Sequence, residues 1–121
     1  MKKVLITGVA GFIGSHVAKR LSKEGYEVIG VDDLSQGKIS NIPTGIDFHK
    51  LDLANSIECR NIPLGCTKIL HIAGQSSGEV SYHQPINDLQ KNSITTLNLI
   101  KYGIENNCER ILYASSMSVY G

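Results

Sequence analysis

The sequence is poor in the residues that build metal and disulfide centres. Its three cysteines, Cys59, Cys66 and Cys108, are odd in number and follow neither zinc-ribbon nor thioredoxin-like spacing, so they read as reduced bystanders. His16, His49, His71 and His83 are scattered, with no second histidine at helical ligand spacing, which argues against a metal centre and for structural roles. Charge of one sign is also missing: 12 Lys and Arg stand against 11 Asp and Glu, a net of +1 spread along the chain. Neither nucleic acid nor an anionic membrane is an expected partner. No apolar run is long enough to span a bilayer, and the apolar part of Met1-Lys2-Lys3-Val4-Leu5-Ile6-Thr7-Gly8 is cut off by glycine too early for a signal peptide. The expected location is cytoplasmic. At 121 residues the chain is expected to form one domain, large enough for a core but short for a cofactor domain plus a substrate domain.

What is present is a glycine pattern. Thr7-Gly8-Val9-Ala10-Gly11-Phe12-Ile13-Gly14 sets three glycines at intervals of three, directly after the apolar run Val4-Leu5-Ile6 and directly before a helical pattern. In an α/β protein this is where a dinucleotide is held, because the turn must be tight, the backbone must approach a pyrophosphate, and the helix must pack on the strand. The phosphates are expected over the N–H groups at the helix N-terminus. Ile13, Val17 and Leu21 recur every fourth residue and give that helix an expected apolar face, with Gly25 as its C-terminal stop. Glu27-Val28-Ile29-Gly30-Val31 reads as a second strand that delivers Asp32 and Asp33 at the distance expected of a ribose-binding acid. A carboxylate there accepts from a ribose diol and repels a 2′-phosphate, and no arginine follows in Asp32-Asp33-Leu34-Ser35-Gln36-Gly37. NAD is therefore expected over NADP, the other reading of the two acids being a solvated loop. The Gly-Lys-Ser/Thr ending of a P-loop is absent, which argues against a nucleoside triphosphatase.

Downstream, Ile46-Asp47-Phe48-His49-Lys50-Leu51 alternates as a third strand leading into Asp52-Leu53. Lys68-Ile69-Leu70-His71-Ile72 reads as a buried parallel strand ending at Ala73-Gly74. Between them, residues 54 to 66 carry Pro63, Gly65 and no periodicity, so the crossover helix must be short or irregular. From Pro85 to Asn107 the spacing predicts the longest helix, with Ile86, Leu89, Leu97, Ile100 and Ile104 on one face. Arg110-Ile111-Leu112-Tyr113-Ala114 follows as a fifth strand running into Ser115-Ser116. The expected fold is α/β: a Rossmann-like parallel sheet of about five strands in order 3-2-1-4-5, with helices on both faces. Its ligand belongs at the carboxyl ends of the strands, near the switch between strands 1 and 4.

Taken in order, these motifs resemble the extended short-chain dehydrogenase/reductases, specifically the NAD-dependent epimerase/dehydratase family of UDP-glucose 4-epimerase type. The resemblance runs through the glycine motif, Asp32-Asp33-Leu34-Ser35 with Gly37, Asp52-Leu53, His71-Ile72-Ala73-Gly74-Gln75-Ser76-Ser77, Asn92 and Ser115-Ser116-Met117-Ser118-Val119-Tyr120-Gly121. It implies that Gly8, Gly11, Phe12, Ile13 and Gly14 form the pyrophosphate turn and that Asp32 holds the adenosine ribose, with Asp33 and Leu34 lining the same pocket. Asp52 and Leu53 would meet adenine, Ala73 and Gly74 would pass close to the cofactor, and Asn92 would secure the cofactor end of the site. Ser116 would be catalytic, hydrogen-bonding a substrate hydroxyl or carbonyl, while Tyr120 is better read as packing. The substrate implied is a nucleotide sugar, oxidised and reduced transiently by NAD.

One family element is absent from these residues. Four residues after Tyr26, Tyr82, Tyr102 and Tyr113 stand Gly30, Ile86, Asn106 and Met117, so no Tyr-x-x-x-Lys pair is present. The lysine lowers the tyrosine's pKa toward working pH, and without the pair Ser116 has no proton-transfer partner. The expectation is an incomplete NAD-binding domain over residues 1–121, without the substrate domain and inactive by itself. A non-catalytic nucleotide-binding or interaction module is the alternative. Strand 5 would then lack its covering strand and helix, so residues 110 to 115 are expected to present an open edge that favours self-association.

Overall fold

The computed structural model describes residues 2–73 and 83–114. Its elements alternate as the sequence requires: β1 (Lys3–Thr7), α1 (Phe12–Lys23), β2 (Glu27–Asp32), β3 (Asp47–Lys50), β4 (Lys68–His71), α2 (Pro85–Leu89), α3 (Thr95–Glu105) and β5 (Arg110–Tyr113). Single 3₁₀ turns occupy Ile39–Asn41 and Glu58–Asn61, the latter being the short crossover before β4. All four strand pairings are parallel, in the order β3-β2-β1-β4-β5. β1 is the centre of the sheet and its apolar side chains alternate between two cores. Leu5 enters a cluster with Ile29, Val31, Leu53, Ile69, Leu99 and Tyr102, whereas Val4 and Ile6 join Val9, Ala18 and Val28 on the opposite face. Burial on both faces is why β1 and β2 read as continuous apolar runs.

Two expectations about helix faces are corrected. Ile13 does not share a packed face with Val17 and Leu21; it is 62% exposed, while the buried residues of α1 are Gly14, Ser15 and Ala18. Fourfold spacing drifts by about 40° per step on a 3.6-residue helix, so Ile13 and Leu21 point well apart. Val17 and Leu21 reach the core, but Ile13 turns toward the carboxyl edge of the sheet.

The stretch from Pro85 is likewise not one α-helix, because α2 and α3 are joined by a π-helical turn at Gln90–Ile94. Its predicted apolar face is turned outward: Ile86, Leu89, Leu97, Ile100 and Ile104 are all exposed, and the side packed on the sheet is Thr95, Leu99, Tyr102 and Gly103. α3 carries two apolar stripes. The inner one wins because Gly103 lets the helix lie close to Ile111 and Ile69, and because the Tyr102 hydroxyl donates to Pro63 O at 2.6 Å. The predicted stops hold, with Gly25 at φ +92° after α1 and Asn107 at φ +55° after α3.

Candidate functional site

The carboxyl ends of β1, β2 and β4 enclose a cleft of about 610 Å³. Its floor is the glycine turn. Gly8 sits at φ +72°, donates to Val31 O at 2.9 Å, and is so close to β4 that a Cβ would stand 2.8 Å from Ala73 N. Gly14 is excluded from carrying a side chain for another reason: its Cβ would overlap the Gly8 carbonyl oxygen, so its bareness lets α1 lie on the turn. Gly11 differs from both. It has an ordinary φ of −84°, and a Cβ would meet nothing nearer than Gly8 O at 3.4 Å, so the protein itself places no demand for glycine there. Gly11 is also the N-cap of α1, without a side-chain cap and without an acidic residue in the first turn, leaving that end suited to an anion.

At the end of β2, Asp32 is held from two sides. Its Oδ2 accepts from Ala10 N at 2.9 Å and its Oδ1 from Leu34 N at 2.8 Å, which fixes the carboxylate while leaving lone pairs on both oxygens. Leu34 takes the left-handed backbone at φ +63° to make that bond. Asp33 stabilises the same loop, its Oδ1 accepting from the backbone N–H and hydroxyl of Ser35. The loop returns onto the glycine turn, where Lys38 N and Asn41 Nδ2 both donate to Ala10 O. After β3, Asp52 Oδ1 accepts from Ala54 N at 3.0 Å and Leu53 is buried against the core.

The fourth wall is the exit of β4. Thr7 is fully buried, and its hydroxyl oxygen accepts from Ile72 N at 3.0 Å and Ala73 N at 3.1 Å. His71, also buried, lies with Nδ1 2.8 Å from that oxygen and Nε2 3.0 Å from Thr96 Oγ1. Burial pushes its pKa below the ordinary histidine value. The three thiols are pushed up, chiefly by burial, which fits bystanders rather than nucleophiles.

Gly8, Gly11, Phe12, Ile13, Gly14, Asp32, Asp33, Asp52, Leu53 and Ala73 all line this one cleft. Leu34 and Asn92 are not among its described lining residues: Leu34 serves through its N–H to Asp32, and Asn92 lies in the π turn, its carbonyl accepting from Thr96 Oγ1 at 2.8 Å. Gly74 and Ser116, with Ser115, Ser118 and Tyr120, lie outside the described residues. The lining also includes Ser35 of the Asp32-Asp33-Leu34-Ser35 motif, and Gln36, Gln84, Asn87 and Thr95, which the sequence reading did not single out. The one available signal for Gln84 and Asn87 is their polar character at the start of the helical pattern, one residue before and two after Pro85. No group of three or more metal-ligating side chains occurs among the described residues.

A parallel sheet ordered 3-2-1-4-5, with a glycine turn at its switch point and a fixed carboxylate at the end of β2, defines a Rossmann-like α/β domain. The chain belongs to the NAD dependent epimerase/dehydratase family, whose model matches residues 4–121. It is 35% identical to UDP-glucuronic acid decarboxylase 1 of Danio rerio over 121 residues, covering 99% of this chain and 28% of that protein. A UDP-glucose 4-epimerase of Cyamopsis tetragonoloba is 33% identical, with 98% of this chain and 37% of the relative covered. The crystal structure of the Thermus thermophilus UDP-glucose 4-epimerase complex with NAD superimposes with a TM-score of 0.87 at 36% identity, over 94% of this chain and 37% of that one. The chain thus spans less than half the length of these relatives.

Proposed function

We propose that these residues form the NAD-binding portion of a nucleotide-sugar epimerase or dehydratase. The observation that carries this reading is Gly11, a glycine lining the cleft that neither backbone conformation nor internal packing requires. A bare backbone is explained there by a ligand that must come close, and the uncapped end of α1 suits a pyrophosphate. Asp32 would accept from the adenosine ribose, Asp52 and Leu53 would meet adenine, and Ala73 with Gly74 would leave room for the rest of the cofactor. When bound, NAD supplies reversible hydride acceptance from the sugar. Ser116 is assigned the substrate hydrogen bond and Asn92 the cofactor end of the site. The relatives' names, which specify UDP-glucuronic acid and UDP-glucose, support a nucleotide sugar as substrate. Turnover also needs a proton-transfer pair that these residues do not contain as Tyr-x-x-x-Lys. We assign self-association to the β5 side of the sheet.

Calorimetric titration of the chain with NAD and NADP tests the cofactor reading. NAD is expected to bind, NADP to bind more weakly, and Gly11→Ala to weaken NAD about tenfold or more through steric loss of a close contact. Equal affinity for the two cofactors, or none for either, would count against it. Epimerisation of a UDP-sugar by the chain alone would overturn the assignment of a cofactor-binding role without turnover.

A further inference from the structure

The hydrogen bonds around Thr7 have a direction that hydroxyl chemistry fixes. A threonine hydroxyl has one hydrogen and two acceptor lone pairs. The N–H groups of Ile72 and Ala73 occupy both lone pairs of Thr7, at 3.0 and 3.1 Å, so its hydrogen is left for His71 Nδ1 at 2.8 Å. Nδ1 is therefore the acceptor and the ring hydrogen sits on Nε2, which donates to Thr96 Oγ1 at 3.0 Å. Thr96 passes its own hydrogen to Asn92 O at 2.8 Å, inside the π turn. One continuous chain of donors thus runs from the exit of β4, through β1 and back through β4, to the segment before α3. Every member is satisfied, but only with a neutral imidazole.

We propose that His71 is a positioning residue of the cleft: in its neutral form it locks the Thr7 hydroxyl into holding Ile72 and Ala73 against the glycine turn, and its protonation releases that wall. A proton added at Nδ1 would find no acceptor, because both Thr7 lone pairs are taken, so at least one of the two backbone N–H bonds must break. Ala73 is the residue whose backbone packs on Gly8 and lines the cleft, so the disturbance falls on the site itself. Among the described residues, the groups facing His71 are Thr7 from β1, Thr96 from α3 and the Tyr113 ring from β5, tilted with centroids 5.6 Å apart. Tyr113 is the only titratable side chain of the three, and none of them is a cation or an anion that would offset a charged imidazole. Burial lowers the pKa of His71, in keeping with a site built for the neutral ring. The effect on NAD rests on the cofactor reading above; the clamp itself does not.

The test separates the two. Nitrogen-15 spectra of the imidazole give the His71 tautomer, and amide exchange at Ile72 and Ala73 reports the clamp, in the full chain without ligand. The expected result is an Nε2-protonated ring and protected amides at about pH 8, with both amides losing protection as the pH is lowered and His71 takes its proton, below the ordinary histidine range. NAD affinity is expected to fall about tenfold over the same titration, the loss of one hydrogen bond's worth of positioning. Thr7→Ser, which keeps the hydroxyl, should preserve both profiles, and His71→Gln, which cannot take the proton, should flatten them. A ring hydrogen on Nδ1, or amides that stay protected while His71 takes its proton, would overturn the proposal even if every variant failed to fold. Absence of NAD binding at all pH values would instead sink the cofactor reading and leave the spectra to decide the clamp.

Discussion

Gly14 and Gly11 lie one turn apart and answer to different partners. Gly14 faces Gly8, and a methyl group there must push α1 off the turn; Gly11 faces the cleft, and a methyl group there displaces only what enters from outside. Gly14→Ala is therefore expected to cost about 1–3 kcal/mol of stability, the ordinary penalty for overpacking. Gly11→Ala should cost no more than about 1 kcal/mol, because alanine is a poorer N-cap than glycine. Urea denaturation of the two variants measures the difference, and equal destabilisation would mean that Gly11 is also a packing glycine. Asp32 combines both kinds of duty in one side chain. Its carboxylate ties the glycine turn to the loop after β2 while presenting lone pairs to the cleft, so replacing it would disturb the wall as well as the ribose contact proposed for it.

Among the elements, α3 shows what periodicity leaves undecided. Leu97, Ile100 and Ile104 form a stripe as regular as that of Leu99 and Tyr102, and hydrophobic spacing alone does not rank them. The choice is made by Gly103, which thins the helix on its inner side, and by the Tyr102 hydroxyl, which needs the Pro63 carbonyl. Leu99→Ala should thus cost about 2–5 kcal/mol as a buried truncation. Leu97→Ala, at an exposed position, should change stability by less than about 0.5 kcal/mol. Thermal unfolding of the pair checks the assignment, and a reversal of the two would restore the outward stripe as the core face. The π turn before α3 was not legible for a related reason: it depends on how α2 and α3 meet the sheet, to which no residue in Gln90–Ile94 points by type. By contrast α1, opened by the glycine motif and closed by Gly25, was legible at both ends because each boundary is set by a local backbone demand.

At the scale of the whole molecule, the strand order could be read because β1, β2 and β4 are apolar on both faces and each parallel step requires a right-handed crossover. Much of the cleft was readable for the same reason, since it sits where the strands end. Gln84, Asn87 and Thr95 were not, because they arrive from a helical segment whose path is set by packing. The two edges of the sheet differ in a way that bears on assembly. β3 closes one side with exposed Asp47 and Lys50, charged side chains that discourage a further strand. β5 closes the other with Leu112 at 55% and Tyr113 at 60% exposure. The self-association proposed above would use this edge, whose outer backbone groups have no strand partner among the described residues. Light scattering across a concentration series should therefore show a mass that rises above 13.2 kDa. Leu112→Lys, which places a charge on that edge, should return the mass toward the monomer, whereas Asp47→Lys on the opposite edge should leave the association in place. A stable monomer at high concentration, or equal sensitivity of the two edges, would remove β5 as the contact.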